Sequence, residues 1–165
     1  MDFLSRIAKG ILSKQITYST PEEPATKKPP ELNSQAALYA LGMNETGSVK
    51  DPYAFSQPSG NAKYGKALGR YQVTEAELKE RGKSYLGGDV PSDLFLKYPG
   101  LQDTFIQNKM RDLNQKYGWG PEQIAAAHRG GMSKPAEIDR IMSERKGYVD
   151  SFMQNYKNYK PITEN

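Results

Sequence analysis

No cysteine occurs among the 165 residues. That absence excludes a disulfide scaffold, a thiol nucleophile and a thiolate-held zinc or iron–sulfur centre. It leaves both oxidising and reducing surroundings open. Histidine occurs once, at His128, and tryptophan once, at Trp119. A histidine-rich metal site is therefore excluded, and no cofactor or metal is expected. No stretch approaches the roughly 20 apolar residues that a bilayer-spanning helix needs, so integral membrane association is not expected. Charge of one sign is scarce as well: 23 Lys and Arg face 19 Asp and Glu, a net of +4. So mild an excess suits anionic polymers, whether nucleic acid, membrane surface or bacterial cell wall, without choosing among them. The basic residues are spread along the chain rather than gathered in a stripe, which disfavours nucleic acid.

What is present is ordinary for a globular protein: 36% hydrophobic and 25% charged residues. The length allows one domain with a real core and something short appended. Tyrosine supplies 11 of the aromatic residues. Its flat apolar face and polar tip suit long polar ligands such as sugars or single strands.

The chain divides into three parts. Residues 1–16 read as a basic amphipathic helix, with Phe3, Leu4, Ile7, Ile11 and Leu12 at helical spacing and Arg6, Lys9 and Lys14 among the polar positions. The segment lacks the charged start and the cleavage site of a secretory signal. It is read as a docking helix for a protein groove or lipid surface, the alternative being packing on its own domain. Residues 17–33 carry Thr20-Pro21-Glu22-Glu23-Pro24 and Lys27-Lys28-Pro29-Pro30 and read as an extended linker. Residues 34–160 form the domain.

Within the domain the signals are mostly helical. Asn33 or Ser34 caps a helix running to Glu45, and Gly47 is placed to end it. Residues 48–70, rich in Gly, Pro, Ser and Asn, predict an irregular lobe with a short hairpin. Thr74-Glu75-Ala76-Glu77 matches a capping box, with Gly82 as the expected stop. Leu101, Phe105, Met110, Leu113 and Tyr117 form the stripe of the longest helix, ended by Gly118. Pro121 opens a helix to about His128, and further helices are expected over 135–144 and 147–159. Trp119 reads as a plug between helices rather than a sugar platform.

One carboxylate stands out. Glu45 lies four residues beyond Leu41 and so shares the apolar face of Leu38 and Leu41. A carboxyl leaning into an apolar face loses hydration, which favours its protonated form, as a general acid requires. The plain alternative is a helix-end glutamate reaching out to water.

Four strings in order change the weight of that residue: Asn44-Glu45-Thr46-Gly47, Lys66-Ala67-Leu68-Gly69-Arg70-Tyr71-Gln72, Ile124-Ala125-Ala126-Ala127-His128-Arg129-Gly130-Gly131, and Gly147-Tyr148-Val149. Together they resemble the lysozyme-like lytic transglycosylases of bacteria and their phages, over about residues 34–156. The resemblance implies a mostly α, lysozyme-like domain with a small irregular or hairpin lobe. It implies cleavage of peptidoglycan between N-acetylmuramic acid and N-acetylglucosamine, with Glu45 as the single catalytic acid and base. Gln72 and Tyr71 would line the glycan groove, Ser56 or Ser59 would stand for the family's groove serine, and Tyr148 would direct its hydroxyl at the site. Two departures are evident: His128 and Arg129 stand where the family has Tyr and Asn, and the stretch from Glu45 to Gln72 is longer. His128 has two readings, a hydrogen-bonding partner near Glu45 or a satisfied polar residue at a helix C-terminus. Arg129 reads as a contact to a substrate N-acetyl or lactyl group, or as a solvated side chain.

A small wall-cleaving domain on a tether suits a phage virion, in the tail or inside, acting in the host periplasm or wall. Its partners would be glycan strands and, through residues 1–33, a component of the assembly. Two rivals keep the fold: a non-catalytic structural or wall-binding virion protein, and a lysozyme-type hydrolase. The hydrolase needs a second carboxylate, for which Asp51 is the nearest in sequence, although Asp51 before Pro52 also reads as a turn residue.

Overall fold

The computed structural model of the protein describes residues 29–131 and 134–161. The expected docking helix over 1–16 and residues 17–28 of the expected linker lie outside them. Residues 29–33 have no regular secondary structure, but they lie against the domain. The Pro30 carbonyl accepts from Asn114 Nδ2 at 3.0 Å, the Asn33 amide donates to the Tyr156 hydroxyl at 2.9 Å, and Leu32 packs on the core.

Helix α1 (Ser34–Thr46) is capped by Asn33, whose side chain accepts from the Ala36 amide at 3.0 Å. Small residues line its inner face: Ala36, Ala37 and Ala40 are buried. Close approach is thereby possible, and α1 packs along the last helix, α7 (Lys146–Asn158), which Phe152 anchors in the core. Gly47 ends α1 with ordinary right-handed angles, so its role there is not a positive φ.

The lobe is a three-stranded antiparallel meander. Strand β1 (Ser56–Pro58) pairs with β2 (Lys66–Leu68), Ser56 opposite Leu68, across a single 3₁₀ turn at Ala62–Tyr64. Strand β3 (Val73–Thr74) then pairs with β2, Ala67 opposite Thr74. The hairpin was expected; β3, only two residues long, gives too little alternation to be read from sequence.

Helix α2 (Glu75–Leu86) starts where the capping box placed it, the Thr74 side chain accepting from the Glu77 amide at 3.1 Å. Its end corrects the sequence reading. The helix passes through Gly82 and stops at Gly87, which has φ +78°. A glycine inside a helix costs only about 1 kcal/mol relative to Ala, and the burial of Tyr85 and Leu86 beyond it outweighs that. Helix α3 (Ser92–Lys97), six residues between Pro91 and Pro99, was not anticipated; it buries Phe95.

Helix α4 (Pro99–Tyr117) is the central rod, ended by Gly118 at φ +65°. Phe105 meets the rings of Tyr85 and Phe95 edge to face, with centroids 5.2 and 5.8 Å apart. Trp119 is buried beside Tyr117, as a plug. Helix α5 (Pro121–Gly130) buries Ile124, Ala125, Ala126 and Ala127, and after a 3₁₀ turn at Pro135–Glu137 comes α6 (Ile138–Glu144). The protein is thus mostly α, with seven α-helices among the described residues and a small β lobe. No helix among the described residues is long and apolar enough to cross a membrane.

Gln102, fully buried on α4, ties the lobe to this frame. Its Nε2 donates to the carbonyls of Tyr53 and Phe95 at 2.8 and 3.0 Å, and its Oε1 accepts from the Arg70 amide at 2.9 Å. Gly69, at φ +67°, lets the loop come close enough, since a Cβ there would collide with the Gln102 amide. Gly69→Ala is therefore expected to lose at least about 2 kcal/mol in urea unfolding, from left-handed strain and overpacking together.

Candidate active site

Glu45 occupies the last turn of α1. Leu38 and Leu41 share its face and are buried, and they draw the carboxylate inward until its side chain is only 7% exposed. The Tyr148 hydroxyl, from the first turn of α7, donates to Oε1 at 2.7 Å. Burial, then the adjoining Glu45 charge, raise the Tyr148 pKa well above the ordinary phenol value, so the hydroxyl keeps its proton.

The neighbours of Glu45 in sequence set this geometry. Asn44 donates to the Tyr148 carbonyl at 3.0 Å and accepts from Ser151 Oγ and Asn155 Nδ2 at 2.9 and 3.0 Å. It thereby clamps the end of α1 to the start of α7. Thr46, also buried, donates to the Arg70 carbonyl at 2.8 Å and joins the same helix end to the loop before β3.

That loop carries Gln72, a non-glycine residue at φ +52°. Left-handed angles cost such a residue about 1–3 kcal/mol and persist only where the surroundings enforce them. Here Nε2 donates to the Gly69 carbonyl and Oε1 accepts from Gln57 Nε2, both at 2.7 Å. The side chain is thus held across the wall of an open cleft of about 780 Å³. Glu45 and His128 lie on its floor, the β lobe with Ser59 and the exposed Tyr64 forms one side, and Glu77 of α2 lies on another.

His128, near the end of α5, has a side chain only 5% exposed. Its Nε2 lies 2.9 Å from the Tyr71 carbonyl and 3.9 Å from Glu45 Oε1. A carbonyl can only accept, so Nε2 carries the proton. Burial, and after it the Lys109 charge, press the imidazole pKa below its usual value against the opposite pull of Glu45 and Glu77. The ring is neutral, so its place at a helix C-terminus is not that of a cation on the dipole. Arg129 is 53% exposed, with Nη1 3.7 Å from Glu45 Oε2 and the guanidinium 5.7 Å from the Tyr148 ring centroid. It leans over the site rather than away from it.

Five of the expected positions therefore come together: Glu45, Gln72, Ser59 and His128 line one cleft, and Tyr148 is bonded to Glu45. Two do not. Tyr71 is buried, and its hydroxyl donates to Asp103 at 2.7 Å beneath the loop. Only its carbonyl serves the site, because the turn that sends Gln72 into the cleft sends its neighbour into the core. Ser56 is exposed on β1 and does not line the cleft; Ser59, beyond the strand end, does. Asp51 accepts from the Ala54 amide at 3.4 Å, a turn residue outside the cleft.

Sequence reasoning passed over Glu77 and Lys109. Glu77 was read only as part of a cap. Its side chain instead receives the Lys109 ammonium at 2.5 Å. Burial pushes the Glu77 pKa up, but the charge of Lys109, with Arg81 behind it, outweighs burial and leaves it lowered. Lys109 did leave a signal: it sits in register with Phe105, Ile106 and Leu113, a charge inside the apolar stripe of α4.

Comparison with protein-family models, with curated proteins and with solved structures gives no significant match for this chain.

Proposed function

We propose that the protein cleaves the β-1,4 bond between N-acetylmuramic acid and N-acetylglucosamine in peptidoglycan, as a lytic transglycosylase. The observation that carries this reading is the nearly enclosed Glu45 carboxyl on the floor of an open cleft, with a phenol donating to one of its oxygens. Because Tyr148 occupies Oε1, the acid proton belongs on Oε2. Glu45 passes it to the glycosidic oxygen as the bond from the muramic C1 breaks. The resulting carboxylate takes the proton of the same sugar's 6-hydroxyl, whose oxygen closes on C1 to give the 1,6-anhydro ring. No water is consumed, and one carboxylate serves both steps. Gln72 and Ser59 would hold the glycan, and the exposed ring of Tyr64 offers a sugar face to stack on. Arg129, largely in solvent, would leave Oε2 for a lactyl carboxylate of the strand.

The order of the four motifs along the chain supports the same chemistry. Residues 1–33 we read as the tether to a larger assembly, a phage virion being the assembly that suits a wall-cleaving domain. Finding the chain in purified particles tests that.

The decisive experiment is digestion of purified peptidoglycan with mass spectrometry of the products. Fragments about one water lighter than hydrolytic muropeptides are expected. Fragments that carry the added water would make the protein a hydrolase, its second carboxylate to be sought at Glu77 or Glu80, which line the cleft, and not at Asp51, which does not. No cleavage by folded protein would leave a wall-binding or structural role.

A further inference from the structure

Among the described residues, Lys109 is a buried charge that packing does not explain. Its ammonium sits on the buried face of α4 with 3% of the side chain exposed. Enclosing a charge costs several kcal/mol unless partners compensate it. One partner is Glu77 Oε1, at 2.5 Å; the other is His128 Nδ1, at 3.4 Å. An ammonium has only donors, so the imidazole nitrogen that faces it must present a lone pair. On the far side of the ring, Nε2 faces the Tyr71 carbonyl at 2.9 Å and must present a hydrogen.

We propose that Lys109 is a positioning residue of the cleft: anchored by Glu77, it fixes His128 as the neutral tautomer whose Nε2–H is held on the Tyr71 carbonyl, with Nε2 3.9 Å from the catalytic carboxyl. The two other states of the ring both fail on this geometry. A proton on Nδ1 alone would set two donors against each other at Lys109 and two lone pairs against each other at Tyr71. An imidazolium would confront the ammonium at 3.4 Å and place a second cation beside Glu45, drawing off the proton that the acid must donate. The charges around the ring come from every side: Glu45 on α1, Glu77 with Arg81 behind it on α2, Lys109 on α4, and Arg129 on its own helix. Tyr148 on α7 is bonded to Glu45. Of these, Lys109 is the group in contact with Nδ1, so the tautomer depends on it.

The consequence for catalysis rests on the transglycosylase reading; the state of the ring does not. Because His128 is the one histidine of the chain, its nitrogens can be followed by ¹⁵N NMR of the full-length protein without assignment. The expected spectrum has a protonated Nε2, a bare Nδ1 and a ring that titrates below the ordinary histidine value. In Lys109→Met, burial still opposes the two glutamates but the Lys109 charge no longer does, and the His128 titration should move to higher pH. The kcat/KM–pH profile on peptidoglycan should then change over the range in which the ring becomes charged. A wild-type ring that titrates near the ordinary histidine value, or that carries its proton on Nδ1, would overturn the proposal even if Lys109→Met fails to fold. So would a folded Lys109→Met protein with an unchanged spectrum. If the spectrum is as expected and peptidoglycan is not cleaved, the positioning role stands and the reading of the function falls.

Discussion

Glu45→Gln is expected to lower kcat/KM on peptidoglycan by about 10²–10⁴-fold, the contribution of a well-placed general acid, with the protein as stable as before. The substitution keeps size and shape. Its amide oxygen can still accept from the Tyr148 hydroxyl, which donates to Oε1 at 2.7 Å. What is lost is a proton that can leave Oε2 and return. Because the Glu45 side chain is only 7% exposed, exchanging it for a neutral amide also removes a poorly hydrated acid. The urea midpoint should therefore stay level or rise, a trade of activity for stability often seen where chemistry requires an awkward group. Glycan binding should survive, since Gln72, Ser59 and Tyr64 are untouched. Rate and midpoint together decide the matter: full activity in the variant would remove Glu45 from the mechanism, and a large loss of stability would mean that the carboxyl is structural.

The largest expected effect on stability belongs to Glu77→Gln. Removing one member of a buried ion pair costs about 3–5 kcal/mol, because the other charge stays enclosed. Glu77 keeps 22% of its side chain exposed, and the amide can still accept a hydrogen bond, so the low end, about 3 kcal/mol, is expected. Lys109→Met should cost less, since the Glu77 carboxylate left behind borders the cleft and can take on water, whereas Lys109 cannot.

The loss should depend on pH in a definite sense. Interaction with Lys109 lowers the folded-state pKa of Glu77 below its unfolded value. The stabilisation is then fully present above the unfolded carboxylate value of about 4.3 and disappears as pH falls through the lower, folded value. Urea unfolding of wild type and Glu77→Gln should differ most near neutrality and converge in acid. A difference that does not shrink in acid would show that the cost arises from packing and not from the ion pair.

These two carboxylates mark the boundary of what can be read along the chain. Glu45 was legible because what turns it toward the apolar face of its helix is local. Asn33 starts the helix, Leu38 and Leu41 define its inner face, and the 3.6-residue period carries Glu45 to the same side. The stops at Gly118 and the start at Pro121 were legible for the same reason: caps act within a turn. Gly82 misled because a glycine stops a helix only where the chain needs a left-handed residue, and burial of Tyr85 and Leu86 moved that point to Gly87. Tyr71 misled because adjacent residues in a strained turn face opposite ways, a matter settled by Asp103 and Gln102, both on α4.

By itself, then, the sequence determined a mostly helical chain with a small lobe, and an acidic side chain leaning inward at the end of its first helix. Only the tertiary structure decided what surrounds that side chain. Glu77, Lys109 and His128 come from three helices, and the pairs they form span 32 and 19 residues. Hydrophobic period and capping chemistry act over a few residues and leave a pattern in the order of the letters. Compensation of a buried charge acts through space, and it leaves in the sequence only an isolated lysine on an apolar stripe, whose partners appear once the helices are packed.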